Sequence, residues 1–304
     1  MKPRCLVLLA AYNGLAFIEE QVRSILNQQD VEVSILISVD KSNDGTEAWV
    51  DALASAEPRV RALPHGQRFG GAGANFFRLI KEASFDDIDY VSLADQVDIW
   101  LTDKLQHSCA VLRQRCVDGY SSDVLAFWPN GRELVVRKSQ SQVAHDYLFE
   151  AAGPGCTYVL SHELACAIQK GLRDNGNAMS KVALHDWYIY AYSRANGFKW
   201  FIDDHVGMRY RQHASNQVGV NSGFAAFKVR LGQVFNGWWL SQACVIAELV
   251  GLKHDPFVAK WISLDRRALV QLAASSASCR RRARDKAFFS ILCLVLAVGG
   301  KANV

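Results

Sequence analysis

Tyr90-Val91-Ser92-Leu93 runs directly into Ala94-Asp95-Gln96-Val97-Asp98-Ile99-Trp100. The apolar run reads as a buried strand. Carboxylates at its end lie at the carboxyl edge of a sheet, which in open α/β sheets is where ligands bind. Neighbouring carboxylates raise each other's pKa, so such a cluster calls for a cationic partner. A divalent cation with a diphosphate is a common one. The same string also reads as a solvated acidic turn ahead of a helix capped at Thr102-Asp103. Locally, both readings stand.

Upstream, Cys5-Leu6-Val7-Leu8-Leu9-Ala10 is a continuous apolar run, as expected of a parallel strand covered on both faces. Ala11-Tyr12-Asn13-Gly14 breaks it, and a helix follows from Ala16 to Asn27 with Phe17, Ile18, Val22, Ile25 and Leu26 on one face. Val33 to Val39 is the next strand, ending at Asp40. Lys41-Ser42-Asn43-Asp44-Gly45-Thr46 then turns into a helix from Glu47 to Ala54. A short strand at Val60 to Leu63, a glycine-rich loop from Pro64 to Ala74, and a helix from Phe76 to Ala83 capped by Asn75 lead back to Tyr90. This alternation predicts a mostly parallel, doubly wound α/β sheet with helices on both faces. Gly70-Gly71-Ala72-Gly73 lacks the third glycine of a dinucleotide fingerprint and reads as a flexible surface loop.

Downstream, Asn130-Gly131 between Val124–Trp128 and Leu134–Val136 predicts a hairpin, with Pro129 placing its first strand near a sheet edge. Tyr158-Val159-Leu160 is a strand approached through Gly153-Pro154-Gly155, and a helix runs from Ser161 or His162 to Leu172. His185-Asp186-Trp187 starts a helix that stops at Asn196-Gly197, and Lys199 to Ile202 is a strand. Met208 to His213 is basic and aromatic and precedes a polar loop, Ala214 to Val220. From Phe224 to Leu252 the pattern is helical and aromatic.

The 304 residues are 50% apolar and 21% charged, the balance of a folded globular chain. A net charge of +4 is too weak to argue for nucleic acid. Eight cysteines form no C-x-x-C pair, which argues against structural zinc and fits small core residues in a reducing compartment. The short apolar run after Met1-Lys2-Pro3-Arg4 reads as a first strand rather than a signal peptide. No stretch reaches the roughly 18–20 apolar residues of a spanning helix. Arg280-Arg281-Arg282-Ala283-Arg284-Asp285-Lys286 abuts the apolar run Ala287 to Val298. That segment is either a buried final helix with solvated arginines or an interfacial anchor with its arginines on anionic lipid; the scarcity of acidic residues favours the anchor.

Ala11-Tyr12-Asn13-Gly14, Asp40 with Ser42 to Thr46, Asn75-Phe76, Ala94 to Trp100, His185-Asp186-Trp187 and Tyr210 to Gly219 occur in order. Together they resemble family 2 glycosyltransferases of the GT-A fold, and most the bacterial rhamnosyltransferase branch that builds cell-surface polysaccharide. The resemblance covers residues 4 to 220. It implies a GT-A domain over 1–222, with a nucleotide-sugar half to about residue 105 and an acceptor half after it, followed by a helical C-terminal extension over 223–304. It implies inverting transfer of L-rhamnose from dTDP-L-rhamnose to a lipopolysaccharide core or O-antigen acceptor, with Mg²⁺ or Mn²⁺ as cofactor, at the cytoplasmic face of the inner membrane. By resemblance Asp40 reads the pyrimidine base in a pocket lined by Ala11 and Tyr12. Asp95 lies near ribose and diphosphate, Gln96 and Trp100 belong to the same nucleotide-sugar motif, Asp186 is the general base, and Arg211 and His213 close over the diphosphate.

Asp186 also suits a helix N-cap, and Arg209 and Arg211 could simply decorate a strand edge. Trp128, Trp187, Trp200, Trp238 and Trp239 could stack on a glycan or fill the core. The chain departs from the family at Val97, where the metal-binding aspartate is usual. Valine offers a hard cation no side-chain oxygen. Asp98 could take over, although a strand neighbour points to the opposite face; Asp95 and His213 could hold the ion with water and the diphosphate; or the chain is a weakened form. Two other classes compete with a transferase. One is a homologue that binds sugar nucleotide or glycan without turnover, supported by Val97. The other is a nucleotidyltransferase, which would need a basic residue after the first strand that Ala11 to Gly14 lacks.

Overall fold

The computed structural model describes residues 1–212 and 237–299. His213, the loop Ala214 to Val220 and the expected boundary at 222/223 lie outside the described residues.

Strand β1 (Arg4–Ala11) shows why the fold starts here. Leu6, Leu8 and Ala10 join one apolar cluster, and Cys5, Val7, Leu9 and Ala11 the other, on the opposite face. Strands β2 (Glu32–Val39), β3 (Val60–Ala62) and β4 (Tyr90–Asp95) complete a parallel half with β1. Helices α1 (Ile18–Leu26), α2 (Thr46–Ala56) and α3 (Ala72–Glu82) make the crossovers.

Beyond β4 the sheet becomes mixed. Its order is β3-β2-β1-β4-β8-β6-β9-β5, with β7 also paired to β6. Here β5 is Ile99–Trp100, β6 Gly119–Phe127, β7 Glu133–Val136, β8 Val159–Ser161 and β9 Trp200–Arg211. The β4–β8, β6–β8, β6–β7 and β5–β9 pairs are antiparallel, so the parallel pattern holds through β4 and returns only for β6–β9. Helices α4 (Lys104–Arg115), α5 (His162–Asp174) and α6 (His185–Ala195) cover this half.

Three local expectations change. Asn75 does not cap α3: it lies within the helix, and its Nδ2 donates to the Ser38 carbonyl at 3.0 Å and the Ala11 carbonyl at 3.4 Å, tying α3 to the ends of β1 and β2. Pro129 marks no edge, because β6 ends at Phe127 and sits inside the sheet between β8 and β9. Met208 to Arg211 completes a twelve-residue strand, since β9 finds partners in both β6 and β5.

The C-terminal helices α7 (Trp238–Leu249), α8 (Arg266–Ala274), α9 (Ser276–Cys279) and α10 (Ala283–Gly299) extend the core on the α3/α6 face. Leu240, Ile246, Leu269, Phe289 and Cys293 share one cluster with Leu6, Phe76 and Tyr188. Trp187 and Trp200 are core too, so neither presents a ring to a glycan. The basic run divides. Arg281 is buried, donating to Asp146 Oδ2 at 3.1 Å and the Ala151 carbonyl at 2.7 Å, and Arg280 donates to the Phe149 carbonyl at 2.9 Å. These two arginines clamp the C-terminal region to the sheet domain and are not available to lipid; Arg284 stays exposed.

Candidate active site

The carboxyl ends of β1, β2 and β4 lie side by side, with Ala11 opposite Val39 and Ala10 opposite Asp95. Gln96 stitches two of them together. Its Nε2 donates to the Tyr12 carbonyl at 2.7 Å and its Oε1 accepts from the Tyr12 N–H at 2.9 Å. The same amide requires Gly14, because a Cβ there would meet Gln96 Oε1 at 1.9 Å. Gln96, expected as a nucleotide contact, therefore holds the Tyr12 loop against the end of β4. The loops after β1 and β2 are joined as well: the Asn13 N–H donates to Ser42 Oγ, and the Asn43 N–H to Asn13 Oδ1, both at 3.0 Å.

Ala11, Tyr12 and Asp40 gather at one corner. Asp40 is buried, and its Oδ1 accepts the Phe69 N–H at 3.0 Å. The Lys41 N–H donates to the Gln67 carbonyl at 3.0 Å. The glycine-rich segment read as a surface loop thus packs against Asp40. Tyr12, on the adjoining loop, is 46% exposed.

After Asp95 the chain turns rather than continuing as a strand. Asp98 therefore returns to Asp95 instead of pointing to the opposite face, and the ligand atoms of Asp95, Asp98 and Cys156 lie within 4.8 Å of one another. Among the described residues this is the grouping that could hold a metal. Burial pushes Asp95 up to about 6. Burial, then the charge of Asp95, pushes Asp98 well above the carboxylate range. Burial likewise raises the Cys156 thiol, which keeps it protonated. Asp98 Oδ1 accepts the Arg211 N–H at 3.1 Å, while no nitrogen or oxygen donor among the described residues reaches Oδ2.

Arg211 wraps the turn. Its Nε donates to the Val97 carbonyl at 2.7 Å, Nη2 pairs with Glu20, and the guanidinium lies 4.9 Å from the Phe17 ring and 4.7 Å from that of Phe127. Lys104 is buried with its Nζ 3.5 Å from the centre of the Trp100 ring and 3.4 Å from Ser92 Oγ; burial lowers it to about 7. Trp100 is only 3% exposed and faces Lys104, so it is a wall of the core and not a nucleotide contact.

The opposite wall is the start of α6. Asp186 does not cap the helix: it lies in the first turn, after the N-cap Leu184, and its Oδ1 accepts the neighbouring Trp187 N–H at 2.8 Å. Burial also raises it to about 6. His185 stacks on Phe76 with centroids 4.0 Å apart, and burial lowers it to about 3, which keeps it neutral. Gly155 joins the two walls. A Cβ there would stand 2.5 Å from His185 Nε2 and 3.3 Å from Asp186 Cβ, while the next residue, Cys156, touches the Asp95 cluster. Tyr210 lies between them, its phenol raised by burial and then by Cys156, Asp95, Asp98 and Asp186. Lys104, Cys156 and Glu20 carry no site signal in the sequence, whereas Gly155 and Tyr210 lie in quoted stretches without a role of their own. Only the Gly153-Pro154-Gly155 approach and the aromatic-basic run at 208–213 hinted at any of them.

Against a hard divalent cation, which takes oxygen ligands, this donor set is incomplete. Val97 offers only a carbonyl, and Arg211 Nε already donates to it. Asp98 is wholly buried, and the third ligand is a protonated thiol. Asp95 alone is an accessible carboxylate.

Paired strand-end loops around Asp95, with a carboxylate facing them from α6, define a GT-A glycosyltransferase. Solved structures share the fold. Residues 1–349 of TarS from S. aureus superpose with a TM-score of 0.58 at 14% identity, covering 97% of this chain and 81% of that one. The mannosyltransferase PcManGT from Pyrobaculum calidifontis, solved with GDP-Man and Mn²⁺, gives 0.54 at 15% identity over 98% of this chain and 87% of that one. Enzymes of this fold commonly use a divalent metal. Residues 6–139 match the model of glycosyl transferase family 2. The chain is 41% identical over 289 residues to dTDP-rhamnosyl transferase RfbG of Shigella flexneri, covering 95% of this chain and 99% of that protein. The chain belongs to glycosyl transferase family 2.

Proposed function

We propose that the protein transfers L-rhamnose from dTDP-L-rhamnose, with inversion, to a lipopolysaccharide core or O-antigen glycan. The observation that carries this reading is the near full-length identity to a dTDP-rhamnosyl transferase. The pyrimidine sits in the Ala11, Tyr12 and Asp40 pocket, and the ribose and diphosphate lie toward Asp95. Asp186 acts from the far wall. A carboxylate raised to about 6 is ionised at neutral pH yet more basic than usual, which suits removal of a proton from the attacking hydroxyl. The departing diphosphate gains negative charge that fixed cations at the site stabilise. Val97, which offers no side-chain oxygen, reduces divalent-metal affinity.

The protein works at the cytoplasmic face of the inner membrane. No described helix is long and apolar enough to cross a membrane. Phe288, Ile291, Leu294, Val295 and Val298 nevertheless remain exposed along α10, with Arg266 and Arg267 exposed at the start of the adjoining α8. An apolar stripe flanked by cations suits the interface of an anionic bilayer. Competition binding of dTDP, UDP and GDP tests the donor reading: dTDP should bind at least about tenfold more tightly, a difference near 1.4 kcal/mol. Preference for either other nucleotide would refute it. Ile291→Glu should lower partition onto anionic vesicles; unchanged partition would count against the membrane role.

A further inference from the structure

The departing diphosphate needs positive charge, and the residue that usually brings a metal to it is Val97 here. The same corner holds a guanidinium. Arg211 is anchored by its backbone N–H on Asp98 Oδ1 and by Nε on the Val97 carbonyl, so its charge is fixed beside residue 97. The rings of Phe17 and Phe127 flank it, which limits the water around it. On the inner side of the cluster, buried Lys104 lies within electrostatic reach of Asp98. One contact of the guanidinium reaches the surface. Its Nη2 partner, Glu20, has a side chain that is 56% exposed, so this pair is screened by solvent and easily exchanged.

We propose that Arg211 supplies the charge that a divalent ion supplies elsewhere in the fold, exchanging Glu20 for the donor's diphosphate, so that the nucleotide binds without metal. This rests on the reading of the site as one for a nucleotide-diphosphate sugar. The planar fork of arginine matches phosphate oxygens in pairs, which a point charge cannot do. Glu20 is then a placeholder that keeps the guanidinium extended in the free enzyme and competes with the ligand for it.

Calorimetric titration of the full chain with dTDP, in EDTA and in Mn²⁺, tests the proposal. The wild-type dissociation constant should change less than about threefold between the two conditions, and Arg211→Gln should weaken binding about tenfold or more in EDTA. Glu20→Gln changes an exposed side chain and keeps the test independent of folding at Arg211; it should tighten binding several-fold in EDTA. Val97→Asp should make binding metal-enhanced. Wild-type binding that Mn²⁺ strengthens more than about tenfold would overturn the proposal while leaving the transferase reading intact. An unchanged Glu20→Gln affinity would also overturn it. Absence of dTDP binding in both conditions would take down the proposal together with the donor reading.

Discussion

Asp98 and Asp146 are both wholly buried carboxylates, and the protein treats them in opposite ways. Asp146 is surrounded by donors: Arg281 at 3.1 Å, Arg194 at 3.3 Å and the Tyr190 hydroxyl at 2.9 Å. Asp98, among the described residues, has one backbone N–H and the Cys156 thiol as donors, with a second carboxylate beside it. Buried polar groups are normally satisfied, so a satisfied one is structural by default and an unsatisfied one calls for an explanation in function. The Asp146 network joins the C-terminal helices to the sheet domain. The Asp98 corner holds its carboxylates with fewer and weaker donors.

The contrast is broken most severely if effects on turnover and stability cross over. Asp186→Asn should lower the transfer rate by about 10²- to 10⁴-fold, the usual contribution of a general base, with dTDP affinity and melting temperature nearly unchanged. Loss of nucleotide affinity or stability instead would make Asp186 a structural residue and no more. On the structural side, Arg281→Ala leaves buried Asp146 with only Arg194 and the Tyr190 hydroxyl and should cost about 3 kcal/mol in denaturant unfolding. The dTDP affinity of the folded fraction should not move. A change below about 1 kcal/mol would show that the network does not hold the two regions together.

Smaller effects sharpen the comparison. Asp40→Ala should weaken dTDP binding about tenfold, the worth of a charge-assisted hydrogen bond; unchanged affinity would put the base pocket elsewhere. Because burial raises Asp186 to about 6 and the base must be ionised, the rate at saturating substrate should fall as pH drops through about 6 and level off above it. An acid limb near pH 4 would mean that the carboxylate is not held in this environment. Asp98→Asn removes an incompletely partnered carboxyl and should leave thermal stability within about 1 kcal/mol of wild type, unlike changes at Asp146.

The site's outer frame was legible because it is written in short strings at strand ends. Ala11-Tyr12, Asp40, Asp95 and Asp186 each follow a break in hydrophobic periodicity, and in the fold they gather at one sheet edge. What escaped the sequence depends on contacts far apart in the chain. Cys156 meets Asp95 only because β8 enters the sheet antiparallel beside β4, and nothing near residue 156 encodes that insertion. Trp100 is in the motif but buried, since two-residue β5 pairs with β9 and Lys104 covers its ring. Arg281 looked like part of a lipid-facing run until Asp146, 135 residues earlier, claimed it.

The central claim is rhamnosyl transfer with Asp186 as base. Its most direct test is incorporation of labelled rhamnose from dTDP-L-rhamnose into a bacterial polysaccharide acceptor, measured for the wild-type chain and Asp186→Asn at matched dTDP occupancy. The account predicts incorporation by the wild type and a loss of at least about a hundredfold in the variant. Transfer from another nucleotide sugar in preference to dTDP-L-rhamnose, or an undiminished rate in the variant, would contradict it.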